Sequence, residues 1–423
     1  MRSKKRIDFK SGVLLTLARK ANFKCSVPRC KRPTVGPFPE NEGAANLGVA
    51  CHIFSASENG PRGWGDKEED FISSEKNGIW CSQYHASLID KNKGKDYPVS
   101  VLFAWKDLIE ARTLKEMNDI PSPLGWIESI AFKSFSRPWK PQLKLSRYTL
   151  IYGKNGVGKT VLLEIAASIS NSKYADRFNG TKILDNNQWV PVQFEAQIDY
   201  STVDNFSKNL KMKIIDKRLY RTEDEKPYLL PPGDLEVIYC SLKDLRRNDD
   251  EDDIDFMMRI LNVDKSALFS LADIGTKLLL PGRIEFVQAT EYEEDEFGEE
   301  KEYAKYKENG DEFYELIFKS DDIPFDTSYN CLSGSEQGKL ILDLLIIKSR
   351  VIAKQKLTLL LIEDLIYSFD KSNFQRLLEV LVEENFQVVV SMPPHLQEDL
   401  ILKDELIDAK YLSQWKLEKI KKE

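Results

Sequence analysis

The sequence predicts an α/β protein: a mixed sheet with flanking helices around a glycine-rich loop, preceded by a small cysteine-rich module. Three observations carry that expectation. A glycine-rich segment, Gly153-Lys-Asn-Gly-Val-Gly-Lys-Thr160, stands between a strand pattern and a helix pattern. Four of the six cysteines fall before residue 82. Charge changes sign along the chain: residues 1–125 hold 20 basic and 15 acidic side chains, the remainder 41 and 53.

At 423 residues and 42% apolar content the chain buries an ample core, which excludes wholesale disorder and predicts two or three domains. No apolar run approaches the ~20 residues of a membrane span. The basic start Met1-Arg-Ser-Lys-Lys-Arg6 leads into an amphipathic 12–23 rather than an apolar leader, so a cytoplasmic protein without membrane partners is expected. Six cysteines are too few for a disulfide scaffold, and Cys240 and Cys331 read as small buried hydrophobes. Within the first 32 residues eleven basic side chains face Asp8 alone, a density suited to phosphate contacts. Two prolines and a glycine within 119–125 break any helix, so a linker at 121–125 separates modules 1–120 and 126–423. The acidic stretches 248–253 and 291–302 are expected in solvated loops or hairpin tips.

In the first module, Cys25-Ser-Val-Pro-Arg-Cys30 offers two thiolates across a short turn to one tetrahedral Zn²⁺. Cys81 and His85, four apart and sharing a face if helical, supply a second pair. His52 also falls in this module, which holds two of the three histidines of the chain.

These residues resemble the HNH (ββα-metal) endonucleases of the zinc-knuckle subgroup over roughly residues 12–110. The match rests on Cys25-x4-Cys30, Gly48-Val-Ala-Cys-His-Ile53, Gly60-Pro-Arg62, Asn77-Gly-Ile-Trp80, Leu88-Ile-Asp90 and Trp105-Lys106. The resemblance implies that His52 is the general base for attack on a phosphodiester, that Asn77 holds the base or its loop in register, and that a divalent metal polarises the phosphate. Aligned on Leu88-Ile-Asp90, the first family ligand position holds Ser82, and Ala86 follows His85. Two ligand assignments stay open. Either His85 completes a zinc site with Cys25, Cys30 and Cys81, which we favour, or it holds the catalytic metal.

In the second module strands are expected over 127–132 and 143–151, with a helix over 161–168 after the glycine loop. Asn155, Gly156, Gly158, Lys159, Thr160 and Val161 form the nucleotide site, Lys159 reaching the β/γ oxygens and Thr160 ligating Mg²⁺. Leu332-Ser-Gly-Ser-Glu-Gln337 opens an apolar helix over 339–353, whose N-terminus with Ser333, Gly334 and Glu336 makes a second anion site. One nucleotide cannot use both within one chain. A buried strand over 357–362 ends in Glu363-Asp364, carboxylates placed for Mg²⁺ and an attacking water.

This order of motifs resembles an ABC-type ATPase head of the RecF, SMC and overcoming-lysogenization group, over about 126–415. The resemblance implies a homodimer or higher homo-oligomer through the heads, the Leu332 turn of one subunit closing on ATP held by Lys159 and Thr160 of the other. Walker B usually reads Asp-Glu; here Glu363 takes the Mg²⁺ position and Asp364, one methylene shorter, that of the base, so hydrolysis is expected to be slow. Ser241 is the candidate for the Q-loop position, with Gln193 and Gln197 behind it, and Met392 or Pro393 stands where a switch histidine is usual. The 171 residues between Thr160 and Leu332 leave room for a compact insertion and no long arms. The expected function is an ATP-gated HNH endonuclease of anti-phage defence, with ATP, Mg²⁺ and Zn²⁺ as cofactors and nucleic acid, DNA foremost, as partner, alongside a separate defence protein. The alternative is a nucleotide-dependent sensor or scaffold whose degenerate HNH module docks on nucleic acid or a separate effector. A repair ATPase with a zinc-ribbon DNA-binding domain is the third reading.

Overall fold

The computed structural model describes residues 6–421 except 31, 39–41, 118–124, 136–141, 184–188, 192–193, 216, 224–225, 229–230, 276, 295–299 and 322–324. The linker residues 121–124, Gln193 and basic residues Arg2, Lys4, Lys5 and Lys31 lie outside that set. The chain folds as mixed α/β in two compact units, one of residues 1–237, 352–360 and 385–423, the other of 238–351 and 361–384.

The first unit opens with the cysteine-rich segment. Strands Gly48–His52 and Gly78–Ser82 pair antiparallel from Gly48↔Ser82 to His52↔Gly78, and helix Gln83–Ile89 follows directly. Trp80 covers the hairpin from one side, and any Cβ at Gly48 would fall 2.0 Å from its ring. Helix Val99–Glu116 buries Leu102, Trp105 and Leu108 among Cys25, Ile53, Ile79 and Cys81. Arg112 on that helix is buried; its Nη1 donates to Pro28 O at 2.9 Å and its Nη2 to Thr202 O at 2.9 Å. Next to it, Arg29 pairs with Glu128 at 2.5 Å. The turn between Cys25 and Cys30 is thereby fastened to the sheet described next.

That sheet has six strands, in the order Lys226–Tyr228, Arg218–Glu223, Lys208–Ile215, Phe194–Thr202, Gly125–Phe135 and Gln142–Lys144. All its neighbours are antiparallel. A five-stranded sheet follows the order Leu235–Tyr239, Leu357–Ile362, Gln387–Ser391, Tyr148–Tyr152 and Lys416–Lys419. Tyr148–Tyr152 lies parallel to both of its neighbours. Gln387 links the two sheets: its buried amide accepts from Ile127 N at 2.7 Å and donates to Ile127 O and Ser146 O. The strand expected over 143–151 is two strands, because the N–H of Ser146 is taken by the Thr149 hydroxyl at 3.0 Å instead of a ladder partner.

In the second unit the helix expected from 339 runs from Gly334 to Ala353. Its inward Asp343 accepts backbone N–H groups of Leu278, Leu279 and Leu280, and burial raises that carboxyl to about 6. Gly338 lets the helix approach the 364–366 turn, since a Cβ there would meet Leu365 O at 2.5 Å. The acidic stretches differ from each other. Residues 290–294 and 300–304 pair as antiparallel strands, and residues 295–299, the middle of the second stretch, lie outside the described residues. Asp252 and Asp253, by contrast, are 1% exposed: Asp252 caps helix Asp253–Leu261, and Lys307 and Arg247 neutralise the pair. Cys240 is buried as expected, whereas Cys331 is exposed in the turn before Leu332. Among the described residues no helix is long and apolar enough to cross a membrane.

Candidate functional site

The glycine loop leaves the strand Tyr148–Tyr152 and enters helix Lys159–Ala167. Three glycines hold positive φ: Gly153 at 150°, Gly156 at 79° and Gly158 at 100°. At Gly153 a side chain is excluded as well, because a Cβ would sit 2.6 Å from Ile420 O of the adjoining strand end. Gly158 is the N-cap and brings no side chain to the helix start, so the cap itself supplies no side-chain oxygen to the first-turn N–H groups. The Lys159 ammonium donates to Gly153 O at 2.8 Å and Lys154 O at 3.3 Å, across the loop. Asn155 and Gly156 are exposed at its crest, and Thr160 and Val161 begin the helix. Backbone donors, helix dipole and one ammonium thus converge where phosphate oxygens are bound in such loops. The far end of the helix is fixed by the buried Arg221 guanidinium, which donates to Ser168 O and Ile169 O.

The second unit carries the other expected motifs. Ser333 and Glu336 form a reciprocal capping box: the Ser333 N–H and hydroxyl donate to Glu336 Oε2 at 2.8 and 2.7 Å, and Glu336 N–H reaches Ser333 Oγ at 3.4 Å. Those hydrogen bonds hold the Glu336 carboxyl below its usual range. Strand Leu357–Ile362 is buried throughout, and Glu363 follows it. The Tyr239 hydroxyl donates to Glu363 Oε2 at 3.0 Å. Asp364 opens the next turn and accepts from Leu242 N at 2.7 Å; burial pushes its carboxyl up, with the Leu242 bond opposing. Asp364 borders a cavity of about 310 Å³ with Gly334, Gln337 and Arg247.

Of the candidates for the remaining head positions, Ser241 spends its hydroxyl and N–H on Asp244 at 2.8 Å each. Gln197 lies in the antiparallel sheet and donates to Asp199. Met392 is fully buried after its strand, and His395 sits exposed in helix Pro394–Leu400.

In the cysteine-rich segment, one ligand atom each from Cys25, Cys30 and His85 lies within 4.8 Å of the other two, the one group of three or more potential metal ligands so gathered among the described residues. Cys25 Sγ stands 3.3 Å from His85 Nδ1. Cys81 is outside that trio and hydrogen-bonds to Cys25; this bond, ahead of burial, holds the Cys25 thiol well below its usual value. Ser82 Oγ is 3.1 Å from His85 Nδ1 and also caps the helix. Cys81 and His85 do not share a helix face: Cys81 is in the strand, and the helix begins at Gln83. Two soft thiols and one imidazole within reach of a common point are a donor set that fits Zn²⁺.

His52 ends its strand on the border of a second cavity, about 320 Å³, with Arg6, Cys51, Arg62, Ala86 and Asp90. Its ring stacks on Phe9, and burial followed by the charge of Arg6 holds the imidazole below its usual value. Asn77 is fully buried and clamps the loop after His52, accepting from Phe54 N at 2.7 Å and donating to Phe54 O and Ile72 O. Arg62 went unassigned at the level of sequence. Its guanidinium donates to Ile53 O, His52 O and Ile89 O and pairs with Asp90, joining the end of the His52 strand to the helix. A lone arginine between proline and glycine was the available signal.

No family model matches the chain, and no curated protein matches it. Among solved structures, an SMC head bound to the C-terminal winged-helix domain of ScpA is similar at 15% identity, covering 65% of this chain and 91% of that one, with a TM-score of 0.41. The recombination mediator RecF with ATP is similar at 14% identity over 64% and 93%, with a TM-score of 0.42. The SMC head of Thermotoga maritima reaches 16% over 64% and 91%, with a TM-score of 0.34.

Proposed function

We propose that the chain is an ATP-dependent switch of the ABC-head type, residues 126–423, whose N-terminal module, residues 1–120, acts on nucleic acid as an HNH endonuclease in anti-phage defence. The observation that carries the reading is the glycine-built start of helix Lys159–Ala167, with no side chain on its cap and Lys159 folded over it. Lys159 and the loop N–H groups would hold the triphosphate, and Thr160 and Glu363 would serve Mg²⁺. Asp364 is the proposed base; its bond from Leu242 N and short side chain support slow hydrolysis. Ser333, Gly334 and Glu336 are proposed to face the nucleotide of a second subunit.

In the front module, Zn²⁺ would be held by Cys25, Cys30 and His85, where it would fasten the knuckle turn to the helix. Cys81 and Ser82 are the two candidates for a fourth donor. Zinc per chain should stay near one in Ser82→Ala and fall in Cys81→Ser if Cys81 is the ligand; the reverse pattern assigns Ser82. His52 would accept the proton of the attacking water, with Asn77 fixing the loop behind it. A divalent metal, when bound, would polarise the scissile phosphate. Plasmid nicking with Mg²⁺ or Mn²⁺, with and without ATP, tests the reading: His52→Ala should lose cutting while retaining ATP binding, and cutting that persists in that variant removes His52 from the mechanism.

The alternative, a sensor or scaffold that docks on nucleic acid or a separate effector without cutting, is favoured by Ser82 at the first family ligand position and by Ala86 after His85, which borders the His52 cavity, together with the reversed Glu363-Asp364 order and the missing switch histidine. Zinc near one per chain together with no nicking would select it.

A further inference from the structure

The segment before the first helix lies across His52. Phe9 stacks on the imidazole with ring centroids 3.7 Å apart and planes 7° from parallel. The segment is pinned at two further points: Ile7 N donates to Ala56 O at 2.8 Å, and Lys10 donates from its N–H to Ser73 O and from its ammonium to Asp70, each at 3.0 Å. Beneath it, His52 Nε2 is sealed from solvent and has no hydrogen-bond partner among the described residues. A buried, unpaired nitrogen disfavours the closed arrangement, and opening returns that nitrogen to water or to a substrate. Among the described residues the pins are the stacked ring, the packing of Phe9 against the cluster of Leu17, Ala18, Ala21, Trp80 and Ile109, two backbone bonds and one exposed ion pair, few enough for local opening without global unfolding.

We propose that residues 6–10 are a strap that closes over His52, with Phe9 as its plug, and that nucleic acid reaches His52 only when the strap lifts. Arg6 and Lys10 ride on the strap, so a phosphate backbone offers Lys10 a reason to leave Asp70, its partner off the strap, and competes for Arg6 with Asp8, which moves with it. The inference rests on the nuclease reading for its purpose and not for its test.

Diethyl pyrocarbonate acylates accessible neutral imidazoles, and the chain has three histidines to compare within one sample, His52, His85 and His395. In the full-length protein, Phe9→Ala should speed modification of His52 by roughly tenfold, as expected when a minor open state becomes the major one, with His85 and His395 unchanged. Ile7→Pro, which removes the N–H that reaches Ala56, should act in the same direction without touching the stacked ring. Because neutral imidazole is the reactive form, rates are compared at several pH values; Arg6 and Asp8 on the strap and Asp90 beyond it are the charges that bear on His52. If His52 is modified as fast in the wild-type protein as in both variants, the strap is no cover. Should Phe9→Ala lose its fold by circular dichroism, Ile7→Pro decides alone. Plasmid nicking is read in parallel: faster His52 modification with no cutting in any variant keeps the strap and removes the nuclease.

Discussion

Helix Lys159–Ala167 and helix Gly334–Ala353 both begin at segments whose sequence marks them for anions, yet the first starts on a bare glycine and the second on a serine already bonded to its own glutamate. At Gly158 the cap brings no side chain to the positive end of the helix dipole, and the Lys159 ammonium folds back over the loop. At Ser333 the same dipole is met by the Glu336 carboxylate, and the donors a phosphate would use are engaged. The contrast separates a cradle built to receive from a helix start that is complete by itself. An anion at the second site must displace Glu336 or bind beside it.

The largest expected effect is at the first start. Lys159→Ala removes a charged donor worth about 3 kcal/mol to a phosphate, so affinity for a fluorescent ATP analogue should drop by roughly a hundredfold. Unchanged binding would end the claim that this loop is the nucleotide site. Next comes Gly153→Ala, which places a Cβ against Ile420 O and should lower stability to urea by about 1–3 kcal/mol along with ATP affinity. A neutral result would show that the glycine is there for ligand approach alone.

Smaller is the effect at the second start. Ser333→Ala should destabilise the protein by about 1 kcal/mol, read as a modest fall in Tm, and should not weaken ATP binding by the isolated chain. Its pH dependence sharpens the point. Glu336 sits below its ordinary value of 4.5 through the Ser333 bonds, so it contributes stability above that pH and loses it as pH falls through the lowered value. Wild-type and Ser333→Ala curves should therefore approach one another at acidic pH, and curves that stay parallel would assign the lowered carboxyl to another cause.

The strand-loop-helix around Gly153 was legible because glycine spacing and an apolar strand fix it locally, and the strand Leu357–Ile362 because six apolar or β-branched residues leave no other reading. Cys25 and Cys30 were legible as a pair from their spacing, whereas His85 was expected to join them together with Cys81 on one helix face, a premise the strand at Cys81 removes. Cys81 was harder. Its place outside the trio depends on a strand pairing, Val49↔Cys81, and on the helix starting two residues later, both set by tertiary register. Phe9 could not be read, and Arg62 only as part of Gly60-Pro-Arg62 without a role, since a stacked ring and a guanidinium bridging three carbonyls are properties of packing and leave no period in the sequence. Asp252 and Asp253 misled for the opposite reason: a run of acids reads as solvated until Lys307, 55 positions beyond Asp252, and Arg247 close on it.

Arg112 bears on how the protein can be dissected. Its buried guanidinium is shared between Pro28 and Thr202, packs on the Phe206 ring, and is pulled down to about 10 by the loss of water around it. A fragment ending after helix Val99–Glu116 keeps one of those carbonyls and forfeits the other, and Arg29 forfeits Glu128 with it. The excised front piece would expose a cation shaped for a neighbour it no longer has, so its behaviour in isolation is a poor guide to its behaviour in the whole chain.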